Sequence, residues 1–142
     1  MYVDALLLFS DAQAVTAAAA SSSYIDIGSA RDLGVGQQLY VVIVCDVAMT
    51  DGSSDSTLTV ALYGDSTTTF TPDGSQTLVT IPALTAAGTK FVIPVAPGLT
   101  NYRYLELYYT PNNGNLTTGS FTAFLTVNPQ LDAKYADNIV IS

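Results

Sequence analysis

"QLYVVIVCDVA" (residues 38–48) decides the fold. The run holds no Gly or Pro, is rich in β-branched residues, and is far too short to span a bilayer. As a strand it places Leu39, Val41, Ile43, Cys45 and Val47 on one face and Tyr40, Val42, Val44, Asp46 and Ala48 on the other. Both faces are mostly apolar, whereas a strand with one solvated face alternates apolar with polar residues. The segment is therefore expected in a sheet whose outside is also covered, by the chain's own arm or by another subunit.

The pattern repeats outward from this run. "TLTVALY" (57–63), "QTLVTI" (76–81), "TKFVIPV" (89–95), "NYRYLELYY" (101–109) and "GSFTAFLTV" (119–127) are short apolar or alternating stretches separated by turn-rich segments such as "MTDGSSDS" and "TPNNGN". A brief strand around Thr67–Thr71, the opening Tyr2–Phe9 and Tyr24–Ile27 bring the expected number to eight or nine. Spacing of this kind signals an antiparallel sandwich or barrel, and no stretch keeps a long helical period. The expected fold is all-β: an antiparallel sandwich, an eight-stranded jelly roll with N- and C-terminal arms. It forms a single domain over 1–142, with an N-terminal strand and arm (1–37), the main strands (38–127) and a C-terminal tail (128–142).

Composition excludes several functions. Of 142 residues 49% are apolar and only 11% charged, with a formal net charge of −8 from 12 acidic and 4 basic residues. Four cations neutralise few phosphates, so nucleic acid is a poor partner, and an anionic membrane surface is equally unsuitable. No segment approaches transmembrane length. The N-terminus superficially resembles a signal peptide, but it carries Asp4 and has no Lys or Arg before Arg31, so secretion by that route is not expected. Cys45 is the single cysteine, which excludes an intramolecular disulfide and suits a reducing compartment.

The groups most enzymes need are largely missing. There is no histidine, so no Ser-His-Asp or Cys-His device can be built, and a zinc site would have one thiol and no imidazole. Cys45, on an apolar strand without a basic neighbour, is expected to be an inert core thiol. "GVGQQ" (34–38) lacks the context of a phosphate loop, and Asp51 and Asp55 stand as turn formers rather than calcium ligands. Glu106, the only glutamate, has no recognisable partner carboxylate in the sequence. No catalytic, metal or cofactor site is expected.

What remains is built for contact. "SDAQAVTAAAASSSYIDIG" (10–28) is nearly all small residues and cannot form a core of its own. Ser10 and Gln13 stand in capping-box register for a helix over Asp11–Ala20, and the alternative is an extended arm held by something it lies on. Ser10, Asp11, Ala12, Gln13, Ala14, Val15 and Thr16 are candidate interface residues, as are Ile139, Val140 and Ile141 at a C-terminus that needs docking. In "NYRYLELYY", Tyr102, Tyr104, Glu106 and Tyr108 share one face, against Arg103, Leu105, Leu107 and Tyr109 on the other. Such tyrosines serve cross-strand packing, a protein interface, or a carbohydrate-binding, lectin-like surface.

The opening "MYVDALLLFSDAQAVTAAAASSSYIDIG" followed by "RDLGVGQQLYVVIV", above all "LLLFSDAQAVTA" with "IDIG" and "RDLG" behind it, resembles the capsid cement (decoration) proteins of tailed bacteriophages, of the type found in a Bordetella podovirus. The resemblance implies a jelly-roll virion protein on the outside of an HK97-type shell. It would associate as a homodimer near two-fold positions and clamp adjacent major capsid proteins. An acidic chain suits an outer surface and not the packaged DNA.

Overall fold

The β-branched and aromatic stretches form strands throughout. The computed structural model describes residues 8–26, 39–67, 74–95 and 102–126, and these contain no helix. Nine strands follow in order: β1 (Leu8–Ala14), β2 (Ala19–Ala20), β3 (Ile25–Asp26), β4 (Tyr40–Thr50), β5 (Thr57–Asp65), β6 (Gly74–Ile81), β7 (Lys90–Pro94), β8 (Tyr104–Asn112) and β9 (Thr118–Thr126). The expectations for Tyr2–Leu7, most of the strand around Thr67–Thr71, and the 128–142 tail lie outside the described residues.

One sheet has the order β1-β9-β4-β7; the other has β2-β8-β5-β6, with β3 also paired to β8. All pairs are antiparallel. The pairs β1–β9, β2/β3–β8, β4–β7 and β5–β6 nest inside one another, like a long hairpin folded around its tip between β5 and β6. Rolling that hairpin adds β4–β9 and β5–β8 and yields two four-stranded layers, once β2 and β3 are taken as one interrupted edge strand. This is the order of an eight-stranded jelly roll.

Between the layers lies one core. Leu39, Val41, Ile43, Cys45, Phe121, Ala123 and Leu125 come from the first sheet, and Leu58, Val60, Leu62, Leu105, Leu107 and Tyr109 from the second. The sequence alternation holds along β4 to Cys45 and then breaks. Register shifts on either side of Val47 turn that side chain outward, where it is 48% exposed, and hand the inward position to Met49. Val47 therefore does not share the face of Cys45, because the residue inserted before it flips its side chain outward and the one inserted after it restores the phase. On the outer face Val42 lies between Phe124 and Val92; Val42 and Phe124 are buried within the chain itself, while Val92 is exposed. The cover expected over this face is thus partly intramolecular. Cys45 is buried, and burial, helped by the Asp46 charge, pushes its thiol pKa up, as befits an inert core group.

The small-residue segment is extended, not helical. β1 runs along β9, Val15 enters the core where the chain crosses between sheets, and β2 and β3 line β8. Ser10 and Gln13 do meet, but as a pin inside a bulged strand rather than a helix cap. Gln13 Oε1 accepts from Ser10 Oγ (2.7 Å) and from the Ser22 amide (2.8 Å), while Nε2 donates to the Ala20 carbonyl (2.8 Å). With its proton committed to Gln13, Ser10 Oγ accepts from Tyr109 OH at 2.7 Å, so a relay runs from the core to the arm. Ser21 bridges the gap between β2 and β3: its amide donates to Leu107 O and its Oγ accepts from Leu107 N.

Two outcomes follow. Gln13→Ala removes the pin and is expected to cost about 1–3 kcal/mol in urea unfolding, with faster amide exchange over 19–23. Tyr109, buried against Phe121, has its pKa pushed up from 10.0 to about 12 by burial. From pH 10.0 to about 12 the unfolded chain releases a proton that the folded chain keeps, so stability falls across that window. Tyr109→Phe is expected to flatten that part of the alkaline stability profile, read as urea midpoint against pH.

Candidate functional site

The outer face of the second sheet concentrates the polar and aromatic groups. Alternation along β8 buries Leu105, Leu107 and Tyr109 and turns Tyr104, Glu106 and Tyr108 outward. β5 alternates in step, so Asp65 lies opposite Tyr104, Tyr63 opposite Glu106 and Ala61 opposite Tyr108. On the other side of β8, Asp26 lies opposite Tyr104 and Ala20 opposite Tyr108. Two alanines flanking Tyr108 leave its ring room, and Tyr63 stacks on it at 5.5 Å between centroids and 16° between planes. Tyr24 meets Tyr104 edge-on at 5.5 Å and 81°.

Charge on this face is unevenly compensated. Arg103 grips Asp26 with two hydrogen bonds, Nε to Oδ1 at 2.9 Å and Nη2 to Oδ2 at 3.1 Å, and its guanidinium carbon sits 4.9 Å from the Tyr104 ring centroid. Asp65 has no such partner. It is 2% exposed; Oδ1 accepts from the Thr67 amide (2.9 Å) and hydroxyl (3.3 Å), but Oδ2 has no hydrogen-bond partner among the described residues. Glu106 is half-buried, and burial first, then the Asp65 charge, raises its pKa above the usual carboxylate value. The partner carboxylate that Glu106 lacks in sequence is therefore supplied by a cross-strand diagonal.

The structure separates the expected interface residues into two surfaces. Tyr104 and Tyr108 lie on the tyrosine face, but Tyr102 precedes β8 and its ring lies over Gly74, where a Cβ would come within 2.7 Å of it. Arg103 does not share the inward face of Leu105 and Leu107; it precedes the strand, and the Asp26 pair holds it at the surface. Ser10–Ala14 belong to the edge of the opposite sheet. Along that segment Ser10 and Val15 are buried and Gln13 is half-buried, while Asp11, Ala12, Ala14 and Thr16 are exposed. Ile139, Val140 and Ile141 lie outside the described residues. Tyr24, Asp26, Tyr63 and Asp65 join the face without having been singled out; the outward alternation of Tyr63 and Asp65 in "YGD" was the available signal. Asp51 is a turn former: its carboxylate accepts the amides of Ser53, Asp55 and Ser56. Among the described residues no group of three or more His, Cys, Asp or Glu is placed to hold a metal.

A family model described as Bbp16 matches residues 9–125; Bbp16 is a Bordetella phage protein family. No curated protein matches the chain. Among solved structures the chain is similar to one described as the structure of infectious bursal disease virus, Gx strain. That likeness has a TM-score of 0.51 and 12% identity, and covers 84% of this chain and 30% of the viral one. The chain thus spans less than a third of that protein's length, and the likeness is one of fold.

The raised pKa of Glu106 has a definite sign. A carboxyl that holds its proton more tightly when folded loses stability for the fold as pH rises through its unfolded and then its folded pKa. Glu106→Gln carries no such loss. Its urea midpoint is expected to gain on the wild type's between pH 4 and pH 7; an unchanged difference across that range would contradict the assignment.

Proposed function

This chain belongs to the Bbp16 family, and from that premise we propose that it is a structural protein of the phage virion, a capsid cement protein. On this reading it sits on the outer surface of the virion, binds the major capsid protein, and stabilises an icosahedral shell by bridging adjacent subunits. The family match over residues 9–125 carries the proposal. The jelly-roll order, with side chains on both outer faces suited to contact, supports it. Neither nucleic acid, membrane nor catalysis enters this role; the net charge of −8 suits a surface away from the packaged DNA.

Self-association as a homodimer belongs to the same proposal, through the outer edge of β1, whose strand partner among the described residues is β9. Register shifts after Leu8 and Ser10, with Ala12 at φ 49°, break the regular ladder there. Association is therefore assigned to close approach of the small exposed side chains Ala12, Ala14 and Thr16, with Asp11, rather than to a continued sheet. The C-terminal Ile139, Val140 and Ile141 are the second proposed contact. A copy that touches two capsid subunits gains effective concentration for its second contact, so modest individual contacts suffice.

The test is addition of the purified protein to expanded shells that lack it, followed by sedimentation and by heating of the shells. Saturable binding and a higher shell disruption temperature are expected; shells that neither bind it nor resist heat better would refute the cement role. Light scattering of the free protein is expected to give a dimer mass. Ala14→Arg is expected to shift it towards the monomer while leaving the β-sheet circular dichroism unchanged.

A further inference from the structure

Among the described residues the large apolar side chains that reach solvent are Tyr24, Val47, Leu84 and Val92, and all but Tyr24 lie on one side of the molecule. Val47 and Val92 stand on the outer face of the first sheet, in β4 and β7, and Leu84 lies in the connection between β6 and β7. Val47 and Leu84 both reach the surface through irregular backbone. Register shifts flank Val47; Leu84, 52% exposed, has φ 60°, a left-handed conformation that bulky side chains rarely take.

The two irregularities adjoin. The connection is bonded to β4 on both sides of Val47: Met49 N donates to Thr85 O (3.0 Å), Gly88 N to Cys45 O (2.7 Å) and Cys45 N to Thr89 O (2.9 Å). Ala86 and Ala87, both exposed, thus run alongside Val47. Thr85 Oγ1 donates to Pro82 O at 2.7 Å and Thr89 Oγ1 to Ala86 O at 2.8 Å, so the shape of the connection is set before any partner arrives. Residues 82–89, "PALTAAGT", carry no charge. Lys90 follows on the same outer face, opposite Val44, and makes no ion pair among the described residues, whereas Arg103 is held by Asp26. Asp46, the other charge nearby, accepts from Thr122 on the β9 side.

An exposed leucine gains no burial in the free fold to offset its strained backbone, and such outliers concentrate where a ligand or partner is held. We propose that Val47, Leu84 and Val92, with Lys90 beside them, form the surface by which this chain docks on the major capsid protein. The aliphatic side chains enter an apolar depression, and Lys90 meets a carboxylate on its rim. Charge complementarity sets that chemistry: an aliphatic patch with one uncommitted ammonium is matched by an apolar surface bearing an acidic group. Sheet order selects the capsid over a second copy. β7 lies at the opposite edge of its sheet from β1, to which self-association is assigned. A dimer then carries two such surfaces facing away from each other, as a bridge between two capsid subunits requires. The inference rests on the cement reading, for which it names the docking surface.

Shells that lack the protein are titrated with the wild type, Leu84→Gly, the Val47→Ser/Leu84→Gly double variant and Lys90→Glu, with binding read by sedimentation. Glycine takes the left-handed backbone without strain, so Leu84→Gly is expected to melt at or near the wild-type temperature while binding shells more weakly. A clear drop in melting temperature would mean that the side chain serves the fold, and would count against the surface. The double variant is expected to lose roughly tenfold or more in shell affinity with its light-scattering mass unchanged, and Lys90→Glu is expected to weaken binding in the same direction. Unchanged binding by the double variant or by Lys90→Glu would overturn the docking surface and leave the cement reading standing. A fall in mass of the double variant would assign the surface to a second copy and overturn the proposal. A wild type that binds no shell would overturn both this surface and the cement reading.

Discussion

Everything in this structure depends on β4 and β5 being paired on both sides. Each is central in its sheet, so each must find backbone partners along both edges to bury its apolar residues without orphaned N–H and C=O groups. The partners come from far along the chain: β4 lies between β7 and β9, and β5 between β6 and β8. The first and last described strands, β1 and β9, then close the roll. Only the β5–β6 pair is local, so most of the loop-closure entropy must be spent before the core forms.

That closure explains the odd N-terminal segment. Ala, Ser and Thr between Phe9 and Ile25 bury little by themselves, yet the segment must run along β9, cross the end of the sandwich and return along β8. Small side chains let the backbone pass close to both sheets, Val15 anchors the crossing in the core, and polar pins replace the missing apolar contacts. The segment expected to lie on something does so; what it lies on, over the described residues, is its own sandwich, with one side left exposed.

The same rigid pairing makes the tyrosine face a platform. Strands hold Tyr63, Tyr104, Glu106 and Tyr108 at fixed spacing, and packing beneath them by Leu105, Leu107 and Tyr109 keeps that spacing from relaxing. Asp65, at the end of β5, is buried with Oδ1 bonded to Thr67 and Oδ2 without a hydrogen-bond partner among the described residues.

The period-two alternation, the turn-rich breaks and the doubly apolar β4 determined an all-β sandwich from the residues alone, because side chains alternate on any strand whatever its partner. The outward set Tyr104, Glu106 and Tyr108 was legible for the same reason. Pairing was not. The Ser10–Gln13 spacing suits a helix cap as well as a bulge, and the ladder with β9 decided between them. The bulges that expose Val47 leave no local signature, since a register shift is defined only against the neighbouring strand. Asp65 and Glu106, far apart in sequence, became neighbours only through the register of β5 on β8, and Arg103, just before β8, met Asp26 only because β3 pairs there. Local chemistry determined which residues would be strands and which way they would point; only the folded register decided which charges and rings would stand together.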